Sequence, residues 1–257
     1  MTGLFVRGVL SGIRTTRFPR HQESEPGTSS GLPVPTRFGS FAEAERIAGL
    51  CPTKALSARG ELVSLDSRRC IACRRCARQP GQPTPGMDWT AGHEMPRLVE
   101  GHAFQSEAVV QKPFSRSLNI LVVDAGDCGA CLNEVRLLNN PFYNMHRLGF
   151  FITPTPRNAD LLLVVGPVTD AMRRPLLAAW EAMPEPKRVA AVGACALSGS
   201  VFGSSFTCGN GVEEVLPVDV EVPGNPPSPL AILHALLLLA GRAVPARHAD
   251  GETHDLR

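Results

Sequence analysis

Short apolar runs that alternate with helical stretches fill the second half of the chain and restrict its fold more than any other feature. Four such runs, rich in β-branched residues and with Gly or Pro at or near their ends, are residues 118–126, 159–167, 188–195 and 214–224. Runs of this kind are typical of parallel strands buried on both faces. Between them, Thr169 or Asp170 is placed to cap one helix, and Ser228 with Pro229 begins another. Strands that alternate with helices predict a doubly wound α/β fold with a mainly parallel sheet.

Composition excludes several classes of protein. The chain has 257 residues, 43% apolar, which is enough for a substantial core. Its formal net charge is +2 and it has no long Lys or Arg run, which argues against nucleic-acid binding. The longest apolar stretch, 229–240, is well short of the roughly 20 residues that span a bilayer and contains His234, so it predicts a buried helix. The first 20 residues scatter their arginines and fit a secretory signal poorly, so we expect a cytoplasmic protein.

A first set of cysteines forms an incomplete ferredoxin motif. Cys70, Cys73 and Cys76 have the spacing Cys-x2-Cys-x2-Cys without the Cys-Pro that should follow, whereas Cys51-Pro52 stands alone upstream. In two-cluster ferredoxins each cluster takes three cysteines from one motif and its fourth from the Cys-Pro of the other. We therefore predict one complete four-thiolate site for a [4Fe-4S] cluster. A structural zinc site is the alternative, although such sites usually show two separated Cys-x2-Cys pairs.

A second set of cysteines follows two of the predicted strands. Cys128 and Cys131 come just after the first strand, and Cys195 comes just after the third. Because ligands collect beyond the carboxyl ends of parallel strands, we expect these three thiols to converge. The fourth predicted strand leads Asn225 to the same corner. Glycines that would let the backbone approach a bulky cluster lie beside them: Gly126, Gly129 and Gly193.

The segment 117–241 resembles the small iron–sulfur subunit of formate hydrogenlyases and other membrane-bound group 4 [NiFe] hydrogenases, which is related to the subunit that carries the terminal cluster of respiratory complex I. The matching stretches are DAGDCGACLNEV, ADLLLVVGPVTDAMRRPLLAAWEAMPEPK, VGACALSGSVF and LPVDVEVPGNPPSPLAIL. The resemblance implies a flavodoxin-like fold and a [4Fe-4S] cluster whose fourth ligand is the cysteine of a Pro-Gly-Cys-Pro-Pro stretch. This chain has Asn225 at that cysteine position.

The substitution leaves three alternatives for the second site. Cys208, in the loop between the third and fourth predicted strands, supplies a substitute thiolate; or Asn225 binds weakly through its oxygen or leaves a [3Fe-4S] centre; or the site is empty. Cys208 is equally a candidate for a small buried residue without a role. Glu134 matches an acidic position that, in the family, faces the cluster and the large subunit. Two roles are open for Glu134: it assists proton movement, or it stabilises the amino terminus of its helix.

The stretch LFVRGVLSGIRTTRFP and the half ferredoxin after it resemble the ferredoxin subunit of the same complexes, shortened and joined to the small subunit. The apolar and basic residues of this stretch suit a helix that lies on a membrane-arm subunit or a bilayer surface, with a frayed tail as the alternative. The expected organisation is an N-terminal amphipathic segment and linker (1–40), a half-ferredoxin domain (41–82), a linker (83–116), the small-subunit domain (117–243) and a tail (244–257).

These features predict an electron-transfer subunit without turnover of its own. The expected partners are a hydrogenase-like or complex I-like large subunit, membrane-arm subunits and other iron–sulfur subunits, with the chain peripheral on the cytoplasmic face of the inner membrane. A scaffold subunit that has lost the sheet-side cluster is the second hypothesis, and a stand-alone redox carrier is the third. The sequence contains no phosphate loop or nucleophile elbow, so ATP binding and hydrolysis are not expected.

Overall fold

The structure is a computed structural model that describes residues 2–12, 14–21, 23, 29–78, 86–90, 92–99, 116–199, 201 and 203–243. The predicted tail, 244–257, and most of the predicted linker, 83–116, lie outside these residues.

The N-terminal part contains two helices and a small antiparallel sheet. Helix α1 spans Thr2–Ser11, and α2 spans Phe41–Gly49. The strands are β1 (Thr36–Arg37), β2 (Leu56–Arg59) and β3 (Leu62–Leu65), in the order β1-β3-β2. The hairpin β2–β3 lies just upstream of the cysteine triplet, and it packs against α2 around Ile47 and Val63, both fully buried.

The larger sheet has six strands. They are β4 (Arg97–Leu98), β5 (Leu118–Asp124), β6 (Phe150–Ile152), β7 (Leu161–Val165), β8 (Arg188–Val192) and β9 (Val220–Val222), in the order β4-β9-β8-β7-β5-β6. Only β4 runs antiparallel to its neighbour. The five parallel strands, counted along the chain, lie in the order 2-1-3-4-5, which is the flavodoxin-like order. The predicted doubly wound α/β fold is therefore confirmed.

Four helices accompany this sheet: α3 (Ala130–Leu137), α4 (Asp170–Ala182), α5 (Ala194–Ser198) and α6 (Pro229–Leu239). Every residue of α6 is buried, as predicted for the apolar stretch 229–240. Ser228 caps α6, since its Oγ accepts a hydrogen bond from the Ala231 N–H at 3.3 Å. No helix in the described part of the chain is long and apolar enough to span a membrane.

Two strands of the larger sheet had no signal in the sequence. β6 has three residues and lies at an edge, where Phe151 and Ile152 stay partly exposed. β4 has two residues and pairs with β9 from within the segment predicted as a linker, where Met87 and Met95 are also buried. Strands this short give no periodicity to recognise.

Candidate metal centres

The four cysteines of the first set line one cavity. Cys51, from the turn after α2, lines the same cavity as the triplet of Cys70, Cys73 and Cys76. Cys70 and Cys76 are buried, Cys51 is half-buried, and Cys73 is exposed. Trp89 lies against the same cavity. The folded chain therefore brings the isolated Cys-Pro to the triplet, as the crossed ferredoxin pattern predicts.

Backbone amides point at these sulfurs. The Ala55 N–H donates to Cys51 Sγ at 3.2 Å, and the Ala72 N–H interacts with the Cys70 sulfur and acts to lower its pKa. Three residues of this stretch have left-handed backbone conformations although they are not glycines: Lys54 (φ +54°), Ala72 (φ +53°) and Arg74 (φ +61°). Such conformations are strained and persist where the surrounding structure fixes them, often at ligand-binding loops.

Burial and crowding raise the pKa values of the two buried thiols, Cys70 and Cys76. Burial is the main cause that raises the pKa of Cys70 to about 11, and its neighbours Cys76, Cys51 and Cys73 add to the shift. Burial likewise raises the pKa of Cys76. Four thiolates in this space would repel one another, so they require positive charge between them, which the irons of a cluster supply. The donor set therefore fits an iron–sulfur cluster.

The described residues contain no group of three or more His, Cys, Asp or Glu side chains positioned to share one metal ion. A single tetrahedral ion draws all its ligands to one point, whereas each cysteine of a [4Fe-4S] cluster binds a different iron and needs a wider cage. The ligand role of the four cysteines stays a prediction.

Two carboxylates shape the loop that carries the first cysteines of the second set. Asp124 Oδ1 accepts the N–H groups of Gly126 and Asp127, at 2.9 and 2.7 Å. Asp127 Oδ2 accepts those of Gly129 and Leu132, at 2.9 and 3.0 Å. These bonds turn the chain sharply after β5 and begin α3, so that Cys131 is buried while Cys128 is exposed.

Gly193 is the point where the second set comes together. It has φ +91°, and a Cβ built on it would lie 2.4 Å from Cys131 Sγ and 3.6 Å from the Gly224 carbonyl oxygen. That carbonyl accepts the Ala194 N–H at 2.8 Å, which ties the loop after β9 to the helix that carries Cys195. The half-buried Asn225 follows Gly224 directly, so the position of the missing cysteine is at this corner.

The thiols of this corner also influence one another. Burial raises the pKa of Cys131 well above its usual range, and the negative charges of Asp127, Cys195 and Cys128 act in the same direction. Burial raises the pKa of Cys195, with smaller contributions from Cys128, Asp127 and Cys208. The structure thus brings Cys128, Cys131 and Cys195 together.

Cys208 lies near Cys195 but is held by its own loop. Its Sγ is 3.4 Å from Ser205 Oγ and 3.7 Å from the Gly203 carbonyl oxygen, and its backbone bridges to Thr169. Cys208 contributes to the raised pKa of Cys195. A role as fourth ligand stays a prediction.

The sequence indicates Glu134 as a residue of this site, but it does not indicate two other charged residues, Asp127 and Arg68. Burial raises the pKa of Glu134, and its charge reaches Cys131. Asp127, which acts on both Cys131 and Cys195, was overlooked, although Asp followed by Gly two residues later is a signal for a side-chain-to-backbone turn. The sequence gives no sign of Arg68 either, because its side chain contacts Leu197, Glu213 and Glu221, which are all more than 120 positions away.

The second half of the chain is similar to subunits of known redox complexes. Residues 128–239 match the family described as NADH ubiquinone oxidoreductase, 20 Kd subunit. The chain is 36% identical over 160 residues to formate hydrogenlyase subunit 7 of Escherichia coli (strain K12), which is 62% of this chain and 63% of that protein. It is 41% identical over 127 residues to the probable membrane-bound hydrogenase subunit mbhJ of Pyrococcus furiosus, 49% of this chain and 76% of that protein. It is 38% identical over 123 residues to a subunit of the NADH-quinone oxidoreductase of Citrifermentans bemidjiense, 48% of this chain and 72% of that protein.

Proposed function

Since the chain belongs to the family of the NADH ubiquinone oxidoreductase 20 Kd subunit, we propose that it is an electron-transfer subunit of a membrane-associated hydrogenase, formate hydrogenlyase or complex I-like oxidoreductase. It relays electrons between a ferredoxin-type site and a large catalytic subunit, and the catalytic reaction takes place in that partner. The observation that carries the proposal is the presence of two cysteine sets in one chain, each with at least one buried thiol and one exposed thiol.

The first site holds a [4Fe-4S] cluster through Cys51, Cys70, Cys73 and Cys76. When bound, such a cluster accepts and returns one electron. The protein holds the ligands at a cavity wall and directs N–H groups at the sulfurs, which lowers the energetic cost of their negative charge. Trp89 lies at the same cavity, with the Arg74 guanidinium 5.1 Å above its ring, and together they keep water from that side.

The second site uses Cys128, Cys131 and Cys195, with Cys208 or Asn225 in the fourth position. Cys128 is the exposed member of this set, and the large subunit docks on the side of the protein where Cys128 lies. Phe206, which is 93% exposed in the loop that also carries Cys208, suits the same contact. The cluster here is a [4Fe-4S] group or, with only three thiolates, a [3Fe-4S] group.

Attachment to a membrane arm involves the N-terminal helix. In α1 the side chains of Val6, Val9 and Leu10 are 52%, 67% and 79% exposed, and Arg7 lies on the same helix. An exposed helix with apolar and basic residues suits a membrane-arm subunit or an anionic bilayer surface. The chain is then peripheral on the cytoplasmic face of the inner membrane, held by its partners.

A second candidate function is a scaffold subunit that carries only the first cluster. Asn225 supports this scaffold function, because the side chain at the position of the fourth cysteine ligand is an amide and not a thiolate. Such a subunit would bind the same partners without passing electrons beyond its ferredoxin half.

Iron and sulfide quantification with paramagnetic resonance, on anaerobically purified protein, tests both functions. About eight irons per chain indicate two cubanes, about seven a cubane and a three-iron centre, and about four the ferredoxin site alone. We expect Cys51→Ala to lose at least about one iron per chain, because the three thiolates that remain at the first cage hold a three-iron centre at most. Ser57→Ala, an exposed change in the neighbouring hairpin, is the matched control. Protein without iron after careful reconstitution would refute the electron-transfer function.

A further inference from the structure

Arg68 connects the two halves of the molecule through several contacts. It belongs to a short 3₁₀ turn, Ser67–Arg69, that packs against α5. Its Nη2 donates to the Leu197 carbonyl oxygen at 3.2 Å and pairs with Glu213, while its Nε lies 3.0 Å from Glu221 Oε1. In return, Ser198 Oγ donates to the Arg68 carbonyl oxygen at 3.1 Å. One residue therefore contacts the end of α5, strand β9 and the turn before β9.

These contacts lie between the two cysteine sets. Cys70 follows Arg68 by two residues, and Cys195 precedes Leu197 by two residues. Chain geometry across the Ser198 hydrogen bond keeps the Cα atoms of Cys70 and Cys195 within roughly 20 Å of each other. Cys70 also shares one continuous cluster of buried apolar side chains with Cys131. Buried apolar side chains therefore run continuously from Cys70 to Cys131.

The geometry suits arginine specifically. The Arg68 side chain is 36% exposed and that of Glu221 only 12%, so the pair is partly withdrawn from water. The Arg68 Nη2 serves both the Leu197 carbonyl and Glu213, while its Nε lies beside the Glu221 carboxylate. The planar guanidinium thus spans all three groups, whereas a lysine ammonium is a compact point charge. Removal of Arg68 takes away the guanidinium that lies 3.0 Å from the largely buried Glu221 carboxylate and leaves that carboxylate with the charge of Arg97, which is unfavourable.

We propose that Arg68 is the positioning residue that holds the two metal sites next to each other, so that electrons pass directly between them within one chain. The proposal rests on the proposed function. The step moves one electron from the first site, which is oxidised, to the second site, which is reduced; no atom is transferred. A low-potential redox partner supplies the electron and the large subunit removes it. The interface between the halves thereby acts as an electron-transfer contact inside a single polypeptide.

The test compares Arg68→Met and Arg68→Lys with Arg69→Met, which removes the adjacent arginine. The first readout is backbone hydrogen exchange, which does not require the clusters. We expect exchange in the turn and in α5 to rise by roughly tenfold or more in Arg68→Met, because the ion pairs that close the junction are lost. Arg68→Lys should be intermediate, and Arg69→Met should match the unaltered protein.

The second readout is the magnetic interaction between the two reduced sites in paramagnetic resonance spectra. Arg68→Met should keep the iron content of the unaltered protein while the interaction weakens, whereas Arg69→Met should keep both. Unchanged exchange and an unchanged interaction in Arg68→Met would overturn the proposal, and so would an unaltered protein that binds only the first cluster. Failure of the proposed function is recognised separately, as absence of iron from the unaltered protein.

Discussion

At the scale of single residues, two glycines with nearly equal φ angles differ in ψ and in their surroundings. Gly129 has φ +93° and no atom within 4 Å of a built Cβ, whereas Gly193 has φ +91° and the Cys131 sulfur 2.4 Å away. Alanine at either position is strained by about 1–3 kcal/mol, because L residues rarely adopt this conformation. Only at Gly193 does the new methyl group also overlap a buried thiol. Gly193 has ψ 154°, in a region that is essentially reserved for glycine, whereas Gly129 has ψ −14°, in the left-handed helical region. Both the backbone and the sulfur therefore make alanine more costly at Gly193.

We predict that Gly193→Ala lowers the free energy of unfolding more than Gly129→Ala does, and that Gly193→Ala alone loses the iron of the second site. Urea denaturation of the apoprotein measures the first effect, and iron quantification the second. Equal destabilisation together with equal iron content in the two variants would mean that the Cys131 sulfur has no fixed place beside Gly193.

Residues that belong to a spaced motif can be recognised from the sequence, whereas residues whose role depends on partners far along the chain cannot. Cys51 could be assigned to the triplet because the crossed ferredoxin pattern requires a fourth thiolate, and the structure places all four at one cavity. Arg68 could not be found in this way. Its partners Leu197, Glu213 and Glu221 are more than 120 positions away, and only the folded chain brings them to it.

At the scale of elements, the amino terminus of α6 depends on a buried histidine. His93 Nε2 lies 2.8 Å from the Glu23 carbonyl oxygen, and its Nδ1 lies 3.0 Å from Ser228 Oγ, which caps α6. A neutral ring satisfies both contacts, with Nε2–H as donor to the carbonyl and Nδ1 as acceptor from the hydroxyl. Burial lowers the pKa of His93, although the charge of Glu23 partly opposes this, and burial also lowers the pKa of His234 on α6.

This network predicts a loss of stability on acidification. Because the pKa of His93 is lower in the folded state, the unfolded chain binds protons more readily, and stability falls as the pH drops below the ordinary histidine value of about 6.5. In His93→Gln the decline of the urea midpoint between pH 7.5 and pH 5 should be shallower, with His234 responsible for part of what remains. His146→Gln, which replaces an exposed histidine, should keep the full decline. A slope unaltered by His93→Gln would contradict this explanation.

The long or capped elements were predictable and the short ones were not. β5, β7 and β8 are buried apolar runs, and α6 has its cap, its first-turn proline and its final glycine in the sequence. The predicted strand over 214–224 shrinks to the three residues of β9, because Glu214 ends a 3₁₀ turn and residues 215–219 form turns and irregular backbone. β4 and β6 exist only because a neighbouring strand offers hydrogen bonds, which is tertiary information.

At the scale of the whole molecule, each cysteine set has one cysteine at the surface and at least one in the interior. Cys73 and Cys128 are exposed, whereas Cys70 and Cys131 are buried in the apolar cluster that the two halves share. Each set can therefore face a partner protein on one side and the other set on its inner side. Whether electrons leave through the corner near Cys128 depends on how complete the second cage is, and that depends on Asn225.

We predict that Asn225→Cys raises the iron content from about seven to about eight per chain, because a fourth thiolate completes the second cage. The resonance spectrum should change from that of a three-iron centre to that of a cubane. Asn139→Cys, which adds a thiol at an exposed position, is the control and should leave the iron content unchanged. If the unaltered protein already holds about eight irons and loses iron in Cys208→Ala, Cys208 is the fourth ligand and this prediction is wrong. If Asn225→Cys stays at about four irons, the corner does not form a cage, and the scaffold function is favoured.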